Sequence, residues 1–334
     1  MEPNLKAQFI LLDATIIYGI TPIILDEVLD YLSPLHAIAI RFGIGVLVFL
    51  LILPFINWKL GITFLSCKTC IFIGWFNAFG FLTAAIGQKL TTAGLATLVS
   101  TSFIFIVPLI AWKLENTPLN FKKVLITTVA FFGMFLIGFD GDWANFGSVS
   151  TIGIVFLLLA AVFWSFHIVL SGKFLNNSKT SGQEFNMLSF IFAVLFHTFF
   201  PLFFLSLFTF EPSVSLPSTI IPNLLFLGTF PTIIAFYLYC WAITRLGTVQ
   251  TSFFLFFQVI VPFLIETIFI GQYYSEWTYC GIFIILLSML WVCIGDMSSS
   301  QKDKDKSSLR IPQRMVPRTL QPTLCKISSG RELM

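Results

Sequence analysis

The chain has 334 residues, of which 57% are hydrophobic and 10% charged, and its formal net charge is +3. Its 41 phenylalanines outnumber its 19 basic and 16 acidic residues together, whereas a soluble chain is about a quarter charged. With a mean hydropathy of +0.92, this excludes a disordered chain, a nucleic-acid binder and a cytosolic enzyme.

A membrane-spanning helix needs about 20 mainly apolar residues. In chain order, runs of that kind predict ten spans, at about 8–25, 35–56, 70–88, 93–112, 121–139, 152–172, 186–208, 219–243, 248–271 and 277–295. Ser33-Pro34, Asn116-Thr117-Pro118 and Glu211-Pro212 punctuate the connections. The first run follows Lys6 as a signal peptide would, but it carries Asp13 and Pro22 and no small-residue cleavage site, so it reads as a retained span. Residues 296–334 form a basic segment too poor in apolar residues to fold. Cys67-Lys-Thr-Cys70 has the spacing of half a zinc site without a second pair, so no metal is expected.

Lys and Arg near span ends stay on the cytoplasmic side. With the N-terminus inside, seventeen of them fall on cytoplasmic segments and Lys89 alone lies on the far side, with Arg41 inside the second span. Asp26, Glu27, Asp30, Asp140, Asp142, Glu211 and Glu276 fall outside. The expected fold is therefore all-α and polytopic, with ten transmembrane helices and both termini cytoplasmic.

The two halves, 7–139 and 152–295, overlay. Ala14 and Tyr18-Gly19 match Ala160 and Trp164-Ser165; Gln88 to Thr92 matches Thr244 to Thr248; Val107-Pro108 matches Val261-Pro262. Five helices per half make the second repeat inverted, the architecture in which transporters hold substrate where the halves meet.

Three stretches carry a family likeness: LSPLHAIAIRFGIGVLVFLLIL with Pro34 and Arg41, TTAGLATLVSTSFIFIVPLIAWKLE, and ITRLGTVQTSFFLFFQVIVPF. They resemble the second helix, the fourth helix and the equivalent second-repeat region of the EamA family in the drug/metabolite transporter superfamily. The likeness covers residues 7–295, with one departure: Gly271-Gln272 stands where the family often has Gly-Glu. It implies a secondary carrier working by alternating access, with a cavity among helices one to four and six to nine and with five and ten peripheral.

An ionisable group in hydrocarbon is costly and by default marks a pathway. Asp13, Arg41 and Glu266 are the intramembrane charges, as substrate or proton ligands or, for Arg41 and Glu266, as a mutual pair. Asn77 and Gln258 sit mid-span, where a substrate contact and interhelical hydrogen bonding both account for an amide. His167 follows Trp164 on one helical face. Tyr18, Trp164, Tyr237, Tyr239 and Trp241 are candidates for an aromatic lining. Pro108 and Pro262, matched between the halves, are the hinge candidates.

No hydrolase elbow, zinc-protease motif or phosphate loop occurs, so an enzyme and a cofactor are not expected. The expected partners are a small metabolite and membrane lipid, with no nucleic acid; a homodimer stays open. The Phe and Ile excess is that of an AT-rich genome, common in host-dependent bacteria. The EamA-like carriers of such bacteria include importers of S-adenosylmethionine, sometimes in exchange for S-adenosylhomocysteine. That is the first expectation, in the cell inner membrane. An amino-acid or drug exporter is the alternative, and a non-transporting scaffold or receptor a second one.

Overall fold

A computed structural model describes residues 3–52, 58–91, 93–116, 121–139, 150–180, 185–209, 217–265, 267–268, 271, 273–288 and 291. All the elements in these residues are helical. Eight helical segments are long and apolar enough to cross a membrane: Leu5–Leu29, Pro34–Ile52, Lys68–Lys89, Leu95–Glu115, Thr151–Ser178, Met187–Phe208, Ile220–Leu246 and Thr248–Ile265. The shorter apolar helices Val124–Ile137 and Glu276–Ser288 take the places of the fifth and tenth spans. This is an integral, multi-pass membrane protein of ten-helix architecture. Glu266, Gln272 and the basic segment 296–334 lie outside the described residues.

The apolar residues divide between two faces. Leu51, Phe121 and Phe208 are about four-fifths exposed, which suits lipid as the surrounding solvent. Trp112 and Trp277 are half exposed at span ends, where interfacial aromatic anchors belong. Small residues let the inner faces approach. A Cβ on Gly45 would stand 2.9 Å from Thr232 Cγ2, so the second and eighth spans cross at near backbone contact.

Helix pairing follows the repeat. The third span packs most extensively on the sixth, and the first packs on the eighth. The fourth lies against the sixth as the ninth lies against the first, and the second pairs with the seventh. Exchanging the two halves turns the third–sixth pair into the first–eighth, the fourth–sixth into the first–ninth, and the second–seventh into itself, as an inverted repeat requires.

Among the described residues, three spans are not continuous α-helix. The fourth divides into Ala93–Ser100 and Phe103–Glu115, and the ninth into Thr248–Phe254 and Phe257–Ile265. At both breaks the backbone tightens to i→i+3 bonds, Ser102 N donating to Val99 O and Phe256 N to Phe253 O. Each break stands six or seven residues before the matched proline, Pro108 or Pro262. The eighth span contains one π turn, Phe230–Ile234. Pro231 has no N–H to give Leu227 O. The Thr232 hydroxyl donates to that carbonyl instead, at 2.7 Å.

Candidate functional site

A cavity of about 150 Å³ lies between the halves. At 10–15 Å³ per enclosed water position it has room for about ten waters. The first four spans and the sixth to ninth all contribute side chains, and the fifth and tenth contribute none among the described residues.

The lining is aromatic with a few anchored polar groups. Arg41, on the second span, is 1% exposed. Its Nε donates to Thr232 Oγ1 at 3.0 Å, and its guanidinium carbon stands 4.5 Å from the centroid of the Phe81 ring, a cation–π contact. Phe81 in turn meets Trp164 edge-on at 5.1 Å. Asn77 Nδ2 donates to Thr198 Oγ1 at 3.2 Å, tying the third span to the seventh. His167 Nδ1 lies 3.1 Å from Ile73 O. A carbonyl only accepts, so Nδ1 carries the hydrogen and Nε2 of the neutral ring is left as an acceptor. Gln258 Nε2 donates to Thr101 Oγ1 at 3.3 Å, across the two helix breaks. Gln88 Nε2 donates to Pro22 O at 2.8 Å and to Asp26 Oδ1 at 3.2 Å. Arg41 is the charged residue of this lining, and no carboxylate joins it among the described residues.

The model of the EamA-like transporter family matches residues 5–139 and 151–294, most of the chain and in two copies. The chain belongs to the EamA-like transporter family. A protein of Archaeoglobus fulgidus described as an "uncharacterized transporter" is 24% identical over 281 residues, which are 84% of this chain and 83% of its own. A crystal structure superposes with a TM-score of 0.66 over 85% of this chain and 95% of its own, at 17% identity, a likeness of fold. Family and relative point to a transporter.

Of the residues singled out in this EamA-like sequence, the fold brings Tyr18, Arg41, Asn77, Trp164, His167, Tyr239 and Gln258 to one cavity. Tyr18 and Trp164, counterparts in the repeat, both line it. Three expectations do not match where the side chains go, and one of them, Trp241, is half-buried off the lining. Asp13 is exposed, and Tyr237 is half-buried off the lining; of the eighth-span candidates it is Tyr239 that faces the cavity. Successive helical residues are rotated by about 100°, so aromatics two residues apart do not share one face. Glu266 lies outside the described residues, and Pro108 does not line the cavity. Sequence reasoning did not pick Phe81, Gln88 or Thr232. Only Thr232 left a trace, in its place directly after an intramembrane proline.

Proposed function

We propose that this protein is a secondary carrier that moves a small metabolite across a bacterial inner membrane by alternating access. One observation carries the reading: the cavity is lined by eight spans drawn from both repeats and, among the described residues, by neither peripheral helix. A site shared by two inverted halves is exposed to alternate sides when one half rocks against the other. The compound we put first is S-adenosylmethionine, taken up in exchange for S-adenosylhomocysteine. The aromatic faces of Phe81 and Trp164 suit a sulfonium ion. The acids expected to face its positive charge do not support it, since Asp13 is exposed and Glu266 lies outside the described residues. A lining with one cation favours the second reading, a carrier of amino acids or of drugs with an acidic group.

Proteoliposomes decide between these. Vesicles preloaded with S-adenosylhomocysteine should take up labelled S-adenosylmethionine saturably, several-fold faster than empty ones. Amino acids, nucleosides and drugs serve as competitors. Counterflow of another panel compound would keep the carrier and change its substrate. If no compound moves under a substrate or proton gradient, the scaffold reading replaces transport.

A further inference from the structure

The buried polar groups of the lining are almost all matched within the protein, and two are not. Asn77, Gln88, His167, Thr232 and Gln258 each bond to a neighbouring span or to their own helix. Arg41 uses Nε, but its Nη1 has no hydrogen-bond partner; Tyr239, 3% exposed, has none for its hydroxyl. Thr232, which holds Arg41, and Tyr239 stand seven residues apart on the eighth span, and all three line the cavity. Buried donors are normally satisfied, and a guanidinium in the hydrocarbon zone normally has a counter-charge. Here the described lining offers Arg41 a hydroxyl and two aromatic faces, Phe42 and Phe81, but no acid.

What completes such a set is an acceptor bearing one negative charge. We propose that Arg41 and Tyr239 bind the carboxylate of the carried metabolite, which makes the substrate a carboxylic acid with an apolar or aromatic body. This rests on the reading of the cavity as the substrate site. A carboxylate is acceptor-only, has two oxygens to divide between guanidinium and phenol, and forms short charge-assisted bonds with both. It neutralises the single cation of the described lining. A phosphate dianion would leave a net negative charge there, and an amide would leave the guanidinium uncompensated. Thr232 has a positioning role: by holding Nε it fixes the plane of the guanidinium and the direction of Nη1.

The test is binding to the purified full-length protein in nanodiscs, with no gradient, read by thermal shift and by the fluorescence of Trp164. Probes are L-methionine, L-phenylalanine, S-adenosylmethionine, S-adenosylhomocysteine and benzoate, each paired with its carboxamide or decarboxylated counterpart, plus inorganic phosphate. At least one acid should bind about tenfold or more tighter than its uncharged partner. That preference should vanish in Arg41→Gln and weaken, without vanishing, in Tyr239→Phe and in Arg41→Lys, which keeps the charge without the planar fork. Acids and amides binding alike would overturn the proposal, as would a flat response to every acid, or phosphate competing as well as the acids do. It also falls if Arg41→Gln fails to fold and Glu266→Gln in the same chain restores both folding and acid binding, because Arg41 would then be Glu266's partner. The two readings separate cleanly. A protein that binds acids but moves nothing loses the carrier function and keeps this subsite, whereas one that carries amides as fast as acids keeps the function and loses it.

Discussion

Thr232 shows how one residue can serve backbone and site together. Pro231 removes the donor that Leu227 O would have had; the Thr232 hydroxyl replaces it, and the same oxygen accepts Arg41 Nε. Thr232→Val deletes both bonds at nearly constant volume and leaves a buried carbonyl and a buried guanidinium N–H unmatched. Each unmatched group costs about 1–3 kcal/mol in a protein core, but interhelical bonds in bilayers average nearer 0.6 kcal/mol. The expected loss is therefore about 1–2 kcal/mol, with Thr232→Ser within about 0.5 kcal/mol of the parent. Thermal unfolding of the two variants in one detergent is the measurement. Equal melting temperatures would mean that the hydroxyl holds neither partner. Arg41 was legible from sequence because a charge inside a span is rare. Thr232 was not, because threonine is common in spans and its importance comes only from the π turn that aims it.

The breaks in the fourth and ninth spans set what can bend at the scale of the element. Sequence marks Pro108 and Pro262, yet the helices part at residues 101–102 and 255–256. A proline frees the carbonyl four residues back and crowds it, so the disturbance falls on Ile104 and Gln258, one turn nearer the break. The first span packs closely against the same turn: a Cβ on Gly19 would lie 2.9 Å from Gln258 O and 2.5 Å from Val261 Cβ. Ser165, the repeat counterpart of Gly19, donates to Phe103 O on the fourth span at 3.3 Å. The two breaks are tied by Gln258 to Thr101. A double-mutant cycle with Thr101→Val and Gln258→Leu should give a coupling of about 0.5–1.5 kcal/mol in thermal stability; additive losses would leave the breaks independent. Gly19→Val should cost about 1–3 kcal/mol through overpacking, and it tests whether the first and ninth spans must touch. Span number, order and repeat were readable because a hydropathy run carries them. The breaks were not, since 3₁₀ tightening depends on which neighbour can accept or donate.

For the whole molecule, the proposed alternating access requires two ends that open in turn, and each end has a bonded contact that would have to release. On the face assigned to the outside by charge, Gln88 of the third span bonds to Pro22 O and Asp26 of the first. On the cytoplasmic face, Thr248 donates to Glu115 Oε1 at 2.8 Å, joining the ninth span to the fourth. Gly172 of the sixth span packs against both partners, so closely that a Cβ would collide with the Thr248 hydroxyl. Gly172 stands twelve residues after Ala160, as Asp26 stands twelve after Ala14, so the two fastenings occupy counterpart regions. If rocking of one half against the other carries the substrate, each must release in every cycle. Glu115→Cys with Thr248→Cys, in a background lacking the six native cysteines, should transport while reduced and stop when joined by a short thiol crosslinker. Reduction of a cleavable crosslink should restore the rate. Asp26→Cys with Gln88→Cys should behave likewise, but a membrane-impermeant thiol reagent should reach a cavity cysteine at Ser100 from the opposite side of the membrane. Transport continuing at the parent rate with either pair quantitatively crosslinked would show that this end does not open, and the exchange-symmetric cycle would have to be abandoned.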